Sequence, residues 1–151
     1  MTATADPGAT DDVLAAQPVG YWTGVTHQAV VRRLRDTLAT IDVTQPHWWT
    51  LTRVAAGEPT REDVVTQLAG VADGPDDIPR AIDQLLHRGW LGSGIDGRLQ
   101  LTDAGREAQG RIKLLLTGLR AELHEGITDD EYAAALRVLR RMLGNLGAAP
   151  G

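Results

Sequence analysis

The chain has 151 residues, 42% of them hydrophobic and 23% charged, which suits one domain with a real core and is too short for two comfortable ones. It contains no cysteine, so structural disulfides, thiolate metal sites and thiol catalysis are excluded together. The formal net charge is −5, an unfavourable sign for approaching phosphates, but Lys113 is the single lysine among 15 basic residues, and arginine is the better fork for phosphates and base edges.

Residues 1–17, MTATADPGATDDVLAAQ, carry no periodicity, no basic start and no apolar run, so they read as a disordered tail and not as a secretory signal. No stretch approaches the roughly 18 apolar residues of a membrane span, and the expected location is the cytoplasm. Pro18 suits an opening helical turn, and Trp22, Thr26, Val30, Leu34, Leu38 and Ile41 then form one stripe of a long helix. Thr44 before Pro46 is a second start signal, for a short helix HWWTLTRVAAG that Gly57 is expected to close. Thr60 with Asp63 reads as a capping box for REDVVTQLAG, with Val64 and Leu68 facing inward.

From Asp76 to Gly105 the text is DDIPRAIDQLLHRGWLGSGIDGRLQLTDAG. Ile78, Ile82, Leu85 and Leu86 recur at helical spacing, and Arg88-Gly89 ends that helix. Trp90-Leu91 begins a strand, glycines 92, 94 and 97 fill a turn, and Arg98 to Leu101 alternate as a return strand. Beyond it Thr102 caps a helix from Asp103 to about His124, with Ala108, Ile112, Leu115, Leu119 and Leu123 inward. Thr128 and Glu131 form another capping box, and Tyr132, Leu136, Leu139, Leu143 and Leu146 make a coiled-coil-like seam that one helix cannot bury on itself. Residues 147–151 read as a frayed end.

The junction LLHRGWL with LQLTDAG, and the order of elements from about Pro18 to Leu146, resemble the multiple antibiotic resistance regulator (MarR) family, whose members carry "LLxxGWL…LQLTDAG"-like text there. The fold class that follows is mainly α: a winged helix-turn-helix of about six helices with a two-stranded β wing and a helical dimerisation stem. Its expected division is a MarR-like domain over 18–146, with helix-turn-helix and wing at 60–101 and dimerisation helices at 18–42 and 103–146. The resemblance implies a homodimer that presents two winged helices to duplex DNA, with effectors bound between the stem and the winged helix. It places the dimer contact on Tyr132, Leu136, Leu139, Leu143 and Leu146.

On the recognition helix, Arg80 suits guanine and Gln84 adenine, while Asp83 can accept from a cytosine amine. Thr60 and Arg61 are expected to hold phosphate, and Arg98 to touch the minor groove or backbone. Between Thr60 and Leu101 four arginines stand against seven carboxylates, so the DNA affinity is expected to be weak and salt-sensitive. Tyr21, Trp22, His27, His47, Trp48, Trp49 and Arg53 concentrate aromatic and polar groups in two neighbouring helices. They read either as core with satisfied surface histidines or as the pocket of a small aromatic or lipophilic effector. The four histidines lack metal-ligand spacing, no catalytic motif occurs, and no metal, cofactor or enzymatic activity is expected.

The function expected is a ligand-responsive transcription regulator, a repressor released by its effector. The alternative is a MarR-like dimer that has lost DNA binding and serves as a small-molecule-binding or protein-interaction module, or as a repurposed enzyme.

Overall fold

The computed structural model describes residues 10–148, which form seven helices and one two-stranded ribbon in the expected mainly α, winged helix-turn-helix arrangement. The helix beyond the expected six is α1 (Asp11–Ala15), inside the stretch read as a tail. It is set by a purely local signal, a Thr10 hydroxyl that accepts from the Val13 amide with Asp11 and Asp12 in the first turn, and it buries nothing. Residues 1–9 of the tail and 149–151 of the frayed end lie outside the described residues.

The long helix α2 (Val19–Ala39) buries only Leu38, while Leu34 and the following Ile41 pack half-buried on the core. Trp22, at the other end of the same stripe, is 47% exposed. Helix α3 (Gln45–Gly57) starts at Thr44, whose hydroxyl accepts from the His47 amide while its own amide donates to His47 Nδ1, a reciprocal capping box with histidine as the third residue. It ends at Gly57 as expected, and the left-handed residue that follows is Glu58, at φ 48°. Pro59 disfavours the right-handed helical region for the residue before it, so the chain turns out of the helix at Glu58.

Helix α4 (Arg61–Leu68) carries the Thr60–Asp63 capping box and buries Val64 and Leu68. Helix α5 (Asp77–His87) buries Ile78, Ala81, Ile82 and Leu85. It ends in a Schellman turn, in which Gly89, at φ 74°, donates to the Leu86 carbonyl and Trp90 to that of Leu85. Trp90 thus closes the helix, and the strand begins one residue later than expected. β1 (Leu91–Ser93) pairs antiparallel with β2 (Leu99–Leu101) in the register Leu91↔Leu101, Gly92↔Gln100, Ser93↔Leu99. The segment before α4 adds a third rung, because Thr60 bridges Arg98 and the Leu99 amide donates to the Pro59 carbonyl at 2.8 Å.

Helix α6 (Asp103–Leu123) is capped by Thr102 and buries Ala108 and Ile112 in its first half, but Leu123 is exposed. Helix α7 (Asp129–Asn145) carries the Thr128–Glu131 capping box and buries no residue. The core therefore sits where α3, α4, α5, the wing, the end of α2 and the start of α6 meet, around Leu51, Val64, Ile82, Leu85, Leu99 and Ile112. Apolar side chains of α1, α7 and both outer halves of α2 and α6 face outward, among them Leu14, Trp22, Leu136, Leu143 and Leu146.

Candidate nucleic-acid interface

The face of α5 opposite Ile78, Ile82 and Leu85 carries Arg80, Asp83, Gln84 and His87, all exposed. Arg80 has no hydrogen-bond or ion-pair partner among the described residues. Arg61, from the start of α4, lies across this face: Nη1 is 2.7 Å from Asp83 Oδ1, and Nη2 donates to the Pro79 carbonyl at 3.2 Å. That hydrogen bond, with the guanidinium charge, holds the Asp83 carboxyl below its ordinary pKa, so the pair stays ionised and adds no net charge to the face.

On the wing, Arg98 folds back onto its own loop. Its Nε lies 3.3 Å from Asp96 Oδ2, and its Nη1 donates to the Glu58 carbonyl at 3.3 Å. The Thr60 hydroxyl accepts from the Asp63 amide at 3.1 Å and keeps its own proton for another acceptor. Of the six residues expected at the interface, Arg61, Asp83 and Arg98 are therefore engaged with one another or with nearby groups. Arg80 is the unpaired cation on the exposed helix.

Gln84 differs most from expectation. Its Oε1 lies 2.6 Å from Nε2 of His47 on α3, a side chain only 3% exposed. Because His47 Nδ1 accepts from the Thr44 amide at 3.0 Å, a neutral ring must carry its proton on Nε2, which makes Gln84 Oε1 the acceptor. The expected free adenine reader thus has its oxygen committed to a buried donor, and His47 is a structural link instead of an open effector ligand.

Burial of His47, reinforced by the charge of Arg88 and opposed by the Gln84 hydrogen bond, lowers its pKa below the usual histidine value. The unfolded chain therefore binds this proton more readily, near pH 6.5, and the folded protein binds it only at lower pH. The stability contributed by neutral His47 is complete above about pH 6.5 and is lost as the pH falls through the folded value. Urea unfolding at pH 7.5 and 5.5 should show a lower midpoint at 5.5, and His47→Gln should remove most of that difference; an equal loss in both proteins would contradict it.

The aromatic cluster does not assemble into one pocket. Tyr21 and Trp22 meet edge to face with centroids 5.4 Å apart, both exposed, and Trp22 Nε1 donates to Gln17 Oε1 at 2.7 Å. They stand about 24 Å along α2 from buried Leu38, at a 1.5 Å rise per residue. His27 lines a recess on α2 beside Arg32 and Asp36, and Arg53 is exposed on α3. Trp48 and Trp49 turn to different sides because adjacent helical residues point about 100° apart. Trp48 faces a shallow surface with Lys113 and Arg120. Trp49 lines a cavity of about 270 Å³ with Arg35, Thr44, Gln45, Asp73 and Asp77, between α2, α3 and the loop before α5. A second groove, of about 430 Å³, lies between α2, α6 and the start of α7, lined by Val30, Leu119, His124 and Tyr132 and bordered by the Arg33–Glu122 pair at 3.0 Å. Arg35, Asp73, Asp77 and His124 were not legible as lining residues, since nothing in local spacing joins α2 to the loop before α5, or α2 to the α6–α7 turn.

Among the described residues no three histidine or carboxylate side chains are grouped to hold a metal ion, and no helix is long and apolar enough to cross a membrane. The helix-turn-helix, its exposed second helix and the three-rung wing define a winged-helix protein. No protein-family model matches the chain, and no curated protein matches it. Solved structures do match. The reduced form of MarR from E. coli is similar at a TM-score of 0.66 and 22% identity, covering 84% of this chain and 94% of that one. A Mycobacterium tuberculosis MarR family protein, Rv2887, in complex with DNA matches at 0.64 and 17%, over 87% and 99%. The transcriptional repressor CouR bound to p-coumaroyl-CoA matches at 0.65 and 22%, over 83% and 91%. The fold is that of the MarR regulators.

Proposed function

We propose that the protein is a ligand-responsive transcription regulator that binds duplex DNA as a homodimer and represses until an effector releases it. The observation that carries this reading is Arg80, exposed and unpaired on the second helix of a helix-turn-helix, where a guanidinium can reach a guanine edge. The dimer reading is supported by α7, which buries nothing and leaves Leu136, Val138, Met142, Leu143 and Leu146 exposed, and by Val13, Leu14 and Trp22 of the first two helices, which are also uncovered. So much apolar surface on the terminal helices favours a second copy as its cover. The effector site is the cavity beside Trp49: it touches both the stem helix α2 and, through Asp73 and Asp77, the entry to α5, so a small aromatic ligand stacked there would shift one against the other.

Duplex retention at about 50 mM salt tests this. The wild type should be retained, and Arg80→Ala should bind roughly 10- to 100-fold more weakly, the usual weight of one bidentate base contact. One observation favours a second reading, a MarR-like ligand-binding module without DNA: Arg61 and Arg98 are already paired with carboxylates. If the wild type ignores all duplex DNA at that salt while still binding small aromatic ligands, the second reading replaces the first.

A further inference from the structure

Charge is divided unevenly between the two ends of the chain. Before Arg32 there is no lysine or arginine, and the acids are Asp6, Asp11 and Asp12; after Glu131 there is no acidic side chain, and the bases are Arg137, Arg140 and Arg141. These three arginines follow one another at three- and four-residue spacing along one face of α7, exposed and without a hydrogen-bond or ion-pair partner among the described residues. With Gly144 and Ala148 they line an open trough of about 360 Å³, to which no other described element contributes. A Cβ at Gly144 would meet nothing within 4 Å, so the trough is open above its backbone. Helix α1 has the complementary form. Asp11 and Leu14, three residues apart, share one face, with Asp12 and Val13 beside them. Val13 and Leu14 are 50% and 47% exposed, and α1 buries nothing in its own subunit. Its five residues make little more than one turn, which a capping hydroxyl alone does not hold in water. The helix therefore needs a cover that no described element of its own subunit supplies.

We propose that α1 of each subunit docks in the arginine trough on α7 of a second copy, Asp11 and Asp12 meeting Arg140 and Arg141 while Leu14 lies over Gly144 and Ala148. The inference rests on the homodimer reading above and adds the segment that is exchanged and the residues that hold it. A second copy is favoured over an unrelated acidic partner because the chain itself supplies a segment of opposite charge with an uncovered apolar face. In a two-fold dimer the contact occurs twice, so every charge change acts twice. The overall field opposes association, since each chain carries a net charge of −5, and acids can favour it only where they face bases across the contact.

Sedimentation equilibrium of the full chain over a range of concentrations, at about 50 mM salt, tests it. Asp11→Asn with Asp12→Asn removes two negative charges from each chain. Relief of the overall repulsion alone would give a tighter dimer, whereas the docking requires a dimer roughly 10-fold weaker. Asp11→Arg with Asp12→Arg, and separately Arg140→Glu with Arg141→Glu, should each weaken the homodimer further. All four positions are exposed, so the fold of the subunit should stand. Mixing these two swapped chains should restore association as a heterodimer, because each α1 then faces an α7 of opposite charge. A tighter or unchanged dimer in the Asp→Asn variant, or no heterodimer on mixing, overturns the inference while leaving the dimer reading intact. Restoration only when both swaps are placed in one chain would make the contact internal and also overturns it. So does a loss of duplex retention in Arg140→Glu with Arg141→Glu at unchanged association, which would assign the trough to nucleic acid. A wild type that stays monomeric at every concentration removes the dimer reading and this inference together.

Discussion

Gly105→Ala is expected to destabilise the protein by about 3 kcal/mol or more, and to lower the melting temperature by roughly 10 °C for a chain of this size. Gly105 lies buried in the first turn of α6, where a Cβ would fall 2.0 Å from the Trp90 carbonyl oxygen and 3.0 Å from its carbon. Both are backbone atoms, so no rotamer change relieves the overlap. The obstructing carbonyl is itself pinned, because it accepts from the Thr102 amide at 3.1 Å, and the Thr102 hydroxyl donates to the Gly89 carbonyl. Separating them would displace the entry to α6 from the wing and from the end of α5. Thermal unfolding by far-ultraviolet circular dichroism, at equal protein concentration for both chains, measures the loss. A change below about 1 kcal/mol would mean that the junction yields more easily than this packing implies.

Ile82→Ala should cost about 2 to 5 kcal/mol. Ile82 is 0% exposed and shares the core with Leu51, Val64, Leu85 and Leu99. Deleting three carbons there leaves a void walled by two other helices and the wing, none free to collapse on its own. The urea midpoint should fall with little change in slope. Leu136→Ala on α7 provides the contrast: at 41% exposure in the single subunit it should barely alter the folding of a lone subunit. If the proposed dimer forms through α7, the same change should weaken association, which sedimentation at several concentrations would reveal. A full-sized loss from Leu136→Ala that is independent of concentration would contradict that picture.

Much of this fold was legible in the text of the chain because its signals are local. Hydroxyl residues at positions 44, 60, 102 and 128 precede four helices, and in each the side chain accepts the expected amide. The spacing of Ile78, Ile82 and Leu85 identified the buried face of α5, and the wing glycines marked its turn. The error at the start of the wing strand was equally local: Trp90 was consumed in closing α5 before the strand began.

The candidate site was legible only as a set of residue types. Arg80, Gln84 and Arg98 were singled out as donors to DNA, and the structure separates them by what each already holds: nothing, His47, and Asp96 with the Glu58 carbonyl. The aromatic residues of α2 and α3 were grouped because they are close in sequence, and they part in space because a long helix carries Tyr21 and Trp22 away from the core that Trp48 and Trp49 border.

By itself, then, the sequence determined the winged helix: the elements, the hydroxyl caps of four helices, and the buried faces of α4 and α5. These follow from hydrogen bonds and periodicities that span three or four residues. Only the tertiary structure decided which polar groups remain available. Arg61 finds Asp83 across 22 residues, His47 finds Gln84 across 37, and Arg33 finds Glu122 across 89. Such pairs depend on where helices cross, which no short spacing encodes. They leave Arg80 open to a partner and tie Gln84 Oε1 to the buried His47.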